Sequence, residues 1–111
     1  MSVELKKDDK KIIAFLKGDI DHHTAAPIRS KIDEIISLQK PSLLIIDFND
    51  VSFMDSSGIG LVLGRYRLMN ELGGKVRVEN LSKSVYKVMS LSGMDKLVEI
   101  KKREEEKNEN N

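Results

Sequence analysis

Residues 42–48 read SLLIIDF, an apolar run with Pro41 in front of it and the polar pair Asn49-Asp50 behind it. The run is too short for a buried helix and lacks the alternation of a strand with one wet face. It reads as a central strand covered on both sides, the kind that parallel sheets contain. Parallel neighbours need long crossover connections, usually helices. Both flanks of this run supply one.

Upstream, Pro27 has no N–H and clashes with the carbonyl four residues back, so it belongs in the first turn of a helix. Thr24 is then the expected N-cap. Ile28, Ile32, Ile35 and Ile36 share one face of that helix, and Pro41 enforces its stop. Downstream, residues 49–54 read as a loop. Asp55-Ser56-Ser57-Gly58 opens a second helix that runs to about Leu72, and Gly73-Gly74 ends it.

The remaining segments follow the same logic. Val3 and Leu5 alternate with Glu4 and Lys6, as a half-buried strand does. Residues 11–17 (KIIAFLK) form a second strand, and the short polar turn at 7–10 makes the pair an antiparallel hairpin. Gly18 breaks that strand, and residues 19–23 read as loop. Residues 75–79 (KVRVE) alternate cleanly. Ser82 caps a third helix, with Val85, Val88 and Met89 inward and Gly93 as its stop. Residues 97–100 (LVEI) form a last short strand. The order β-β-α-β-α-β-α-β implies parallel pairing with right-handed crossovers. The expected fold is a single compact α/β domain over residues 1–100, with a mainly parallel sheet, an antiparallel edge from the N-terminal hairpin, and helices packed on it. Residues 101–111 (KKREEEKNENN) contain no apolar side chain, and a disordered polar tail is expected there.

Composition narrows the function. The chain has 111 residues, enough for one domain with its own core. It has no cysteine, which excludes disulfides, thiolate zinc sites, iron–sulfur clusters and cysteine nucleophiles, and suits a reducing compartment. Nineteen Lys and Arg against eighteen Asp and Glu leave a net charge of +1. No global field draws the chain onto nucleic acid or an anionic membrane. Three Phe, two Tyr and no Trp also supply little for base stacking. The start, MSVELKKDDKK, has no apolar stretch of a secretory signal, and no apolar run is long enough to span a bilayer. A cytoplasmic protein is expected.

The segment Asp55-Ser56-Ser57-Gly58-Ile59-Gly60 follows the central strand and opens a helix. In parallel α/β sheets ligands collect at that edge. A cap needs only one of Asp55, Ser56 and Ser57, so at least one hydroxyl is left free. Enzyme motifs do not fit. A nucleophile elbow needs Gly two residues before the serine, where Met54 precedes Ser56 and Asp55 precedes Ser57. The dinucleotide fingerprint needs Gly where Leu63 stands, and the P-loop needs Gly-Lys-Ser/Thr where Gly64 is followed by Arg65 and Tyr66.

Asp21-His22-His23 has the residue types of a metal cluster. The chain holds only these two histidines and no cysteine, short of the usual three or four ligands. No metal and no cofactor are expected. The segment is either a loop bonded to its own backbone or part of a binding surface, because it follows a strand and shares an edge with the Asp55-Ser56 loop. On the second helix, Ile59, Val62, Leu63 and Tyr66 make one apolar stripe and Leu61, Leu68 and Leu72 lie roughly opposite. One stripe faces the sheet. The other is covered by a neighbouring helix or forms a docking surface beside Gly60 and Gly64. Arg65, Arg67 and Lys75 are too few for a nucleic-acid stripe, so no direct contact with nucleic acid is expected.

The blocks Gly18-Asp19-Ile20-Asp21-His22-His23-Thr24-Ala25 and Phe53-Met54-Asp55-Ser56-Ser57-Gly58-Ile59-Gly60, followed by Gly64-Arg65-Tyr66, closely resemble the anti-sigma-factor antagonists of the STAS fold. The likeness covers about Val3 to Ile100 with the same order of elements. The resemblance implies a regulator with no catalytic residue of its own. Such proteins bind an anti-sigma factor that is also a serine kinase, in its ATP- or ADP-bound state, and so release the sigma factor, sigma-F in the sporulation branch. The kinase inactivates the antagonist by phosphorylating the serine that is Ser56 here, and a serine phosphatase reverses the step. Asp21, His22, His23, Asp55, Ser57, Gly58 and Leu61 are the expected partner-facing residues. A phosphate at a helix N-terminus meets unpaired N–H groups and is locally tolerated, so its effect is expected at the partner surface. The alternatives are a STAS module that binds nucleotide or acts as a scaffold, and a small serine hydrolase using Ser56 with His22 or His23.

Overall fold

The alternating N-terminal strands pair as a hairpin. β1 (Ser2–Asp8) lies antiparallel to β2 (Lys11–Lys17), with Ser2 opposite Lys17 and Asp8 opposite Lys11. Asp9 turns the chain at φ 59°, a left-handed conformation that short polar side chains tolerate. The computed structural model describes residues 2–104. Beyond the hairpin come α1 (His22–Gln39), β3 (Leu43–Asp50), α2 (Ser56–Glu71), β4 (Lys75–Leu81), α3 (Lys83–Leu91), a 3-10 turn (Met94–Lys96) and β5 (Glu99–Lys102). The strands form one sheet in the order β1-β2-β3-β4-β5, and every pair after the first is parallel. The chain is therefore a single α/β domain with an antiparallel N-terminal edge, as its pattern predicts.

The core lies on one face of that sheet. Ile12, Ala14 and Leu16 of β2, Leu44, Ile46 and Phe48 of β3, and Val76 and Val78 of β4 join one cluster with side chains from all three helices. Strand β3 is not covered by helices on both faces, contrary to the reading of its apolar run. Its other face carries Ile45 and Asp47, which are buried yet lie outside the cluster. The register puts Ile45 between Ile13 and Arg77, and Asp47 between Phe15 and Glu79. Cross-strand neighbours, including the long stem of Arg77, shield them in place of a helix. Asp47 accepts from the Asn80 side-chain amide at 2.7 Å and from the Asn49 N–H at 2.8 Å.

Several boundaries differ from the sequence reading: β1, β3 and β4 each run about two residues further than expected, and two other differences bear on the ends of the chain's elements. α1 starts earlier than expected, so Pro27 sits in its second turn and not its first. The missing N–H leaves the His23 carbonyl without its helical donor. Both residues are exposed, where water can satisfy that oxygen. At the C-terminus, β5 runs from Glu99 through Lys102 and not from 97 to 100. The Arg103 N–H donates to the Leu81 carbonyl at 2.8 Å, and its guanidinium donates to the Asn49 carbonyl at 2.9 Å. Residues 101 and 102 thus belong to the sheet and Arg103 is bonded to it, Glu104 is exposed beyond it, and 105–111 of the expected tail lie outside the described residues.

An ion pair locks the first two helices together. Arg65 of α2 is 6% exposed, and its Nε lies 2.8 Å from the Asp33 carboxylate of α1. Its guanidinium also donates to the Leu61 carbonyl at 3.4 Å. Desolvation pulls the Arg65 guanidinium below its ordinary value, Asp33 opposes that shift and Arg29 adds to it.

Candidate functional site

The site is assembled where β2 and β3 end. Parallel strands point their C-terminal ends the same way, so the loops leading to α1 and α2 meet at one edge. A short parallel bridge pairs Ile20 with Met54. The Ile20 N–H donates to the Phe53 carbonyl at 2.8 Å, the Asp55 N–H to the Ile20 carbonyl at 3.1 Å, and the Gly18 N–H to the Asp50 carbonyl at 3.0 Å. Ile20 and Met54 are buried beneath this zipper. It holds the N-termini of α1 and α2 side by side.

Each helix is capped by an aspartate. Asp21 caps α1, accepting from the N–H groups of His23 and Thr24 at 2.9 Å each. The Thr24 hydroxyl oxygen accepts from the Asp21 N–H at 2.8 Å, completing a reciprocal capping box. Thr24 is therefore the third residue of the helix, not its cap, and His22 and His23 are its first two residues, not loop. Asp55 caps α2 through a 2.8 Å bond from the Ser57 N–H. That leaves Ser56 at the first helical position, exposed, with no side-chain hydrogen bond to another described residue.

The Thr24 N–H is the main cause that holds the Asp21 carboxyl below the ordinary carboxylate value. Desolvation opposes it, and the His23 N–H and imidazole charge assist it. A depressed carboxyl contributes stability above its unfolded value, and that contribution is lost as pH falls through the folded value. Asp21→Asn keeps a capping oxygen but removes the charge. The melting temperature of wild type should exceed that of Asp21→Asn at neutral pH, and the gap should close below about pH 4. Thermal scans from pH 7 to 3 check this; a gap of constant size would contradict it.

The expected partner-facing residues divide by burial. His22, His23 and Ser56 are exposed, and Asp21, Asp55 and Ser57 are half-buried. Gly58 is buried, and a Cβ there would collide with the Cγ and Sδ of Met54. Glycine at 58 lets Met54 pass beneath the helix start. Leu61 is 1% exposed and belongs to the core, so it presents nothing to a partner. Leu61, Val62, Arg65 and Met69 form the inward face of α2, and Ile59, Leu63, Tyr66 and Leu68 pack partly against the core. The inward face thus takes Val62 from one of the two stripes read in the sequence and Leu61 from the other, with Arg65 between them. Between the two helix starts lies a shallow groove of about 440 Å³ lined by His22, His23, Ala25, Ala26, Arg29, Ser57 and Gly60. Among the described residues no group of three His, Asp or Glu side chains is placed to hold a metal ion. No described helix is long and apolar enough to cross a membrane.

This fold and this paired-loop site define a known class. Residues 2–107 match the STAS domain, and the chain belongs to that family. Within it the chain groups with anti-sigma-factor antagonists. It is 33% identical over 100 residues to the anti-sigma F factor antagonist of Paenibacillus polymyxa, covering 90% of this chain and 86% of that one. It is 30% identical over 112 residues to the anti-sigma-B factor antagonist of Listeria monocytogenes, covering 100% and 97%. The structure of the antagonist SpoIIAA in its unphosphorylated form superposes with a TM-score of 0.78 at 33% identity, covering 98% of this chain and 92% of that one. The phosphorylated form from Bacillus gives 0.72 at 32% identity, covering 98% and 96%. Members of this group are regulators, and the chain is not an enzyme.

Proposed function

We propose that this protein, unphosphorylated, binds an anti-sigma factor that is also a serine kinase, releases sigma-F, and is inactivated when that kinase phosphorylates Ser56. The observation that carries the reading is the state of Ser56. It is exposed at the first position of α2 while Asp55 does the capping, so its hydroxyl is free for a kinase. No side chain of the described residues hydrogen-bonds to it, which suits a serine modified by another protein's active site. The relatives named for sigma F, and the existence of a phosphorylated form of SpoIIAA, support the choice of sigma factor and of regulation. A serine phosphatase resets the switch. The protein acts in the cytoplasm, where sigma factors meet RNA polymerase, and touches no nucleic acid itself.

The test is phosphate mapping. Incubated with ATP and the anti-sigma F factor of the same genome, the protein should take up one phosphate on Ser56, and Ser56→Ala should take up none. Equal uptake by Ser56→Ala would move the site to Ser57. Uptake only from the anti-sigma-B factor would assign the chain to the other branch of its relatives.

A further inference from the structure

We infer that Phe53 is the apolar anchor by which this protein docks on its anti-sigma factor; the inference rests on the function proposed above. Phe53 is 54% exposed, although phenyl side chains are among those most often buried. The backbone there is held from Phe53 onward. Met54 is buried in the core cluster and bridged to Ile20, and the Phe53 carbonyl takes the Ile20 N–H. Alternation along that bridge sends Met54 inward and Phe53 outward. The bridge register sets Phe53 opposite Asp19 of the first loop, three residues before Ser56 on its own loop.

The other large exposed apolar side chains lie elsewhere. Leu38, Leu72 and Leu91 belong to the last turns or C-cap of their helices, Val88 to the middle of α3, and Leu97 to the far end of β4 beside Lys75. Of this set only Phe53 shares the edge that carries the candidate phosphorylation site. Interfaces concentrate their binding energy in a few desolvated aromatic or Arg anchors ringed by polar contacts. Phe53 has that setting: an exposed ring on a hydrogen-bonded backbone, at the edge that carries Asp21, Asp55 and Ser56. Its occupant is accordingly an apolar pocket on the anti-sigma factor, rimmed by donors for Asp21 and Asp55. The position also couples anchor and switch. A phosphate on Ser56 would have to be desolvated next to the contact that the ring makes.

Titration of the anti-sigma F factor with wild type, Phe53→Ala, Phe53→Leu and Leu91→Ala tests this. Phe53→Ala should weaken binding roughly 10- to 100-fold, with little change in melting temperature because the ring is half in water already. Phe53→Leu should recover much of the loss, and Leu91→Ala, 78% exposed at the end of α3, should bind as wild type does. In the kinase assay Phe53→Ala should raise KM and leave kcat unchanged. Wild-type affinity in Phe53→Ala would overturn the anchor while leaving the proposed function standing. Equal losses in Phe53→Ala and Leu91→Ala would also overturn it. Failure of wild type to bind would overturn the proposed function and the anchor together.

Discussion

Phosphorylated on Ser56, the protein should melt within a few degrees of the unmodified form and bind its anti-sigma factor roughly 100- to 1000-fold more weakly. The two halves of this expectation have separate physical causes. Ser56 occupies the first position of α2, where unpaired N–H groups and the helix dipole favour an anion by about 0.3–1 kcal/mol. The Asp55 carboxylate next to it opposes a second negative charge. The two effects largely cancel, so the fold is neither melted nor much reinforced. Binding differs because the phosphate brings a charge of about −1.5 to −2 into a surface that must shed water. Like-charge or unpaired-charge burial at an interface costs several kcal/mol. Ser56→Asp should imitate this only in part, since a carboxylate carries one charge and lacks the tetrahedral bulk.

Asp33→Ala should be the most damaging single change among those considered for stability. It strands the guanidinium of Arg65, 6% exposed, without its counter-ion. Breaking a fully buried pair costs roughly 3–5 kcal/mol. The Asp33 side chain is 39% exposed, so water screens the pair and a loss of about 2–3 kcal/mol is expected. Replacing both partners, Asp33→Leu with Arg65→Leu, should restore much of that loss, because no buried charge is then left unpaired. Urea unfolding of the three proteins measures this. A midpoint for Asp33→Ala equal to wild type would show that the pair does not hold α1 against α2.

Much of the fold was legible because its signals are local. Continuous apolar runs at β2 and β3, the Gly73-Gly74 stop and the Ser82 cap mark elements without knowledge of the rest. The misreadings share a cause: they concern what a residue meets across space. Arg65 is buried because α1 brings Asp33 to it, a contact that no local pattern announces. The two stripes of α2 left its inward face open, and Leu61, expected at the partner surface, lies in the core. The apolar run of β3 signalled burial correctly but not its source, since cross-strand side chains and not a second layer of helices cover Ile45. At α1, Pro27 points to a cap at Thr24, whereas Asp21 and Thr24 at i and i+3 already have the spacing of the capping box that forms. The clustering of the Asp21 and Asp55 loops was legible from the order of strands. The exposure of Phe53 was not, because it depends on the bridge that turns Met54 inward.

Isothermal titration of the anti-sigma F factor with unmodified protein and with protein carrying one phosphate on Ser56 tests the switch most directly. The account predicts tight binding by the first, binding weaker by at least roughly a hundredfold by the second, and near-equal melting temperatures for the two. Equal affinity of both forms, or weak binding accompanied by collapse of the phosphorylated fold, would contradict a surface switch at Ser56.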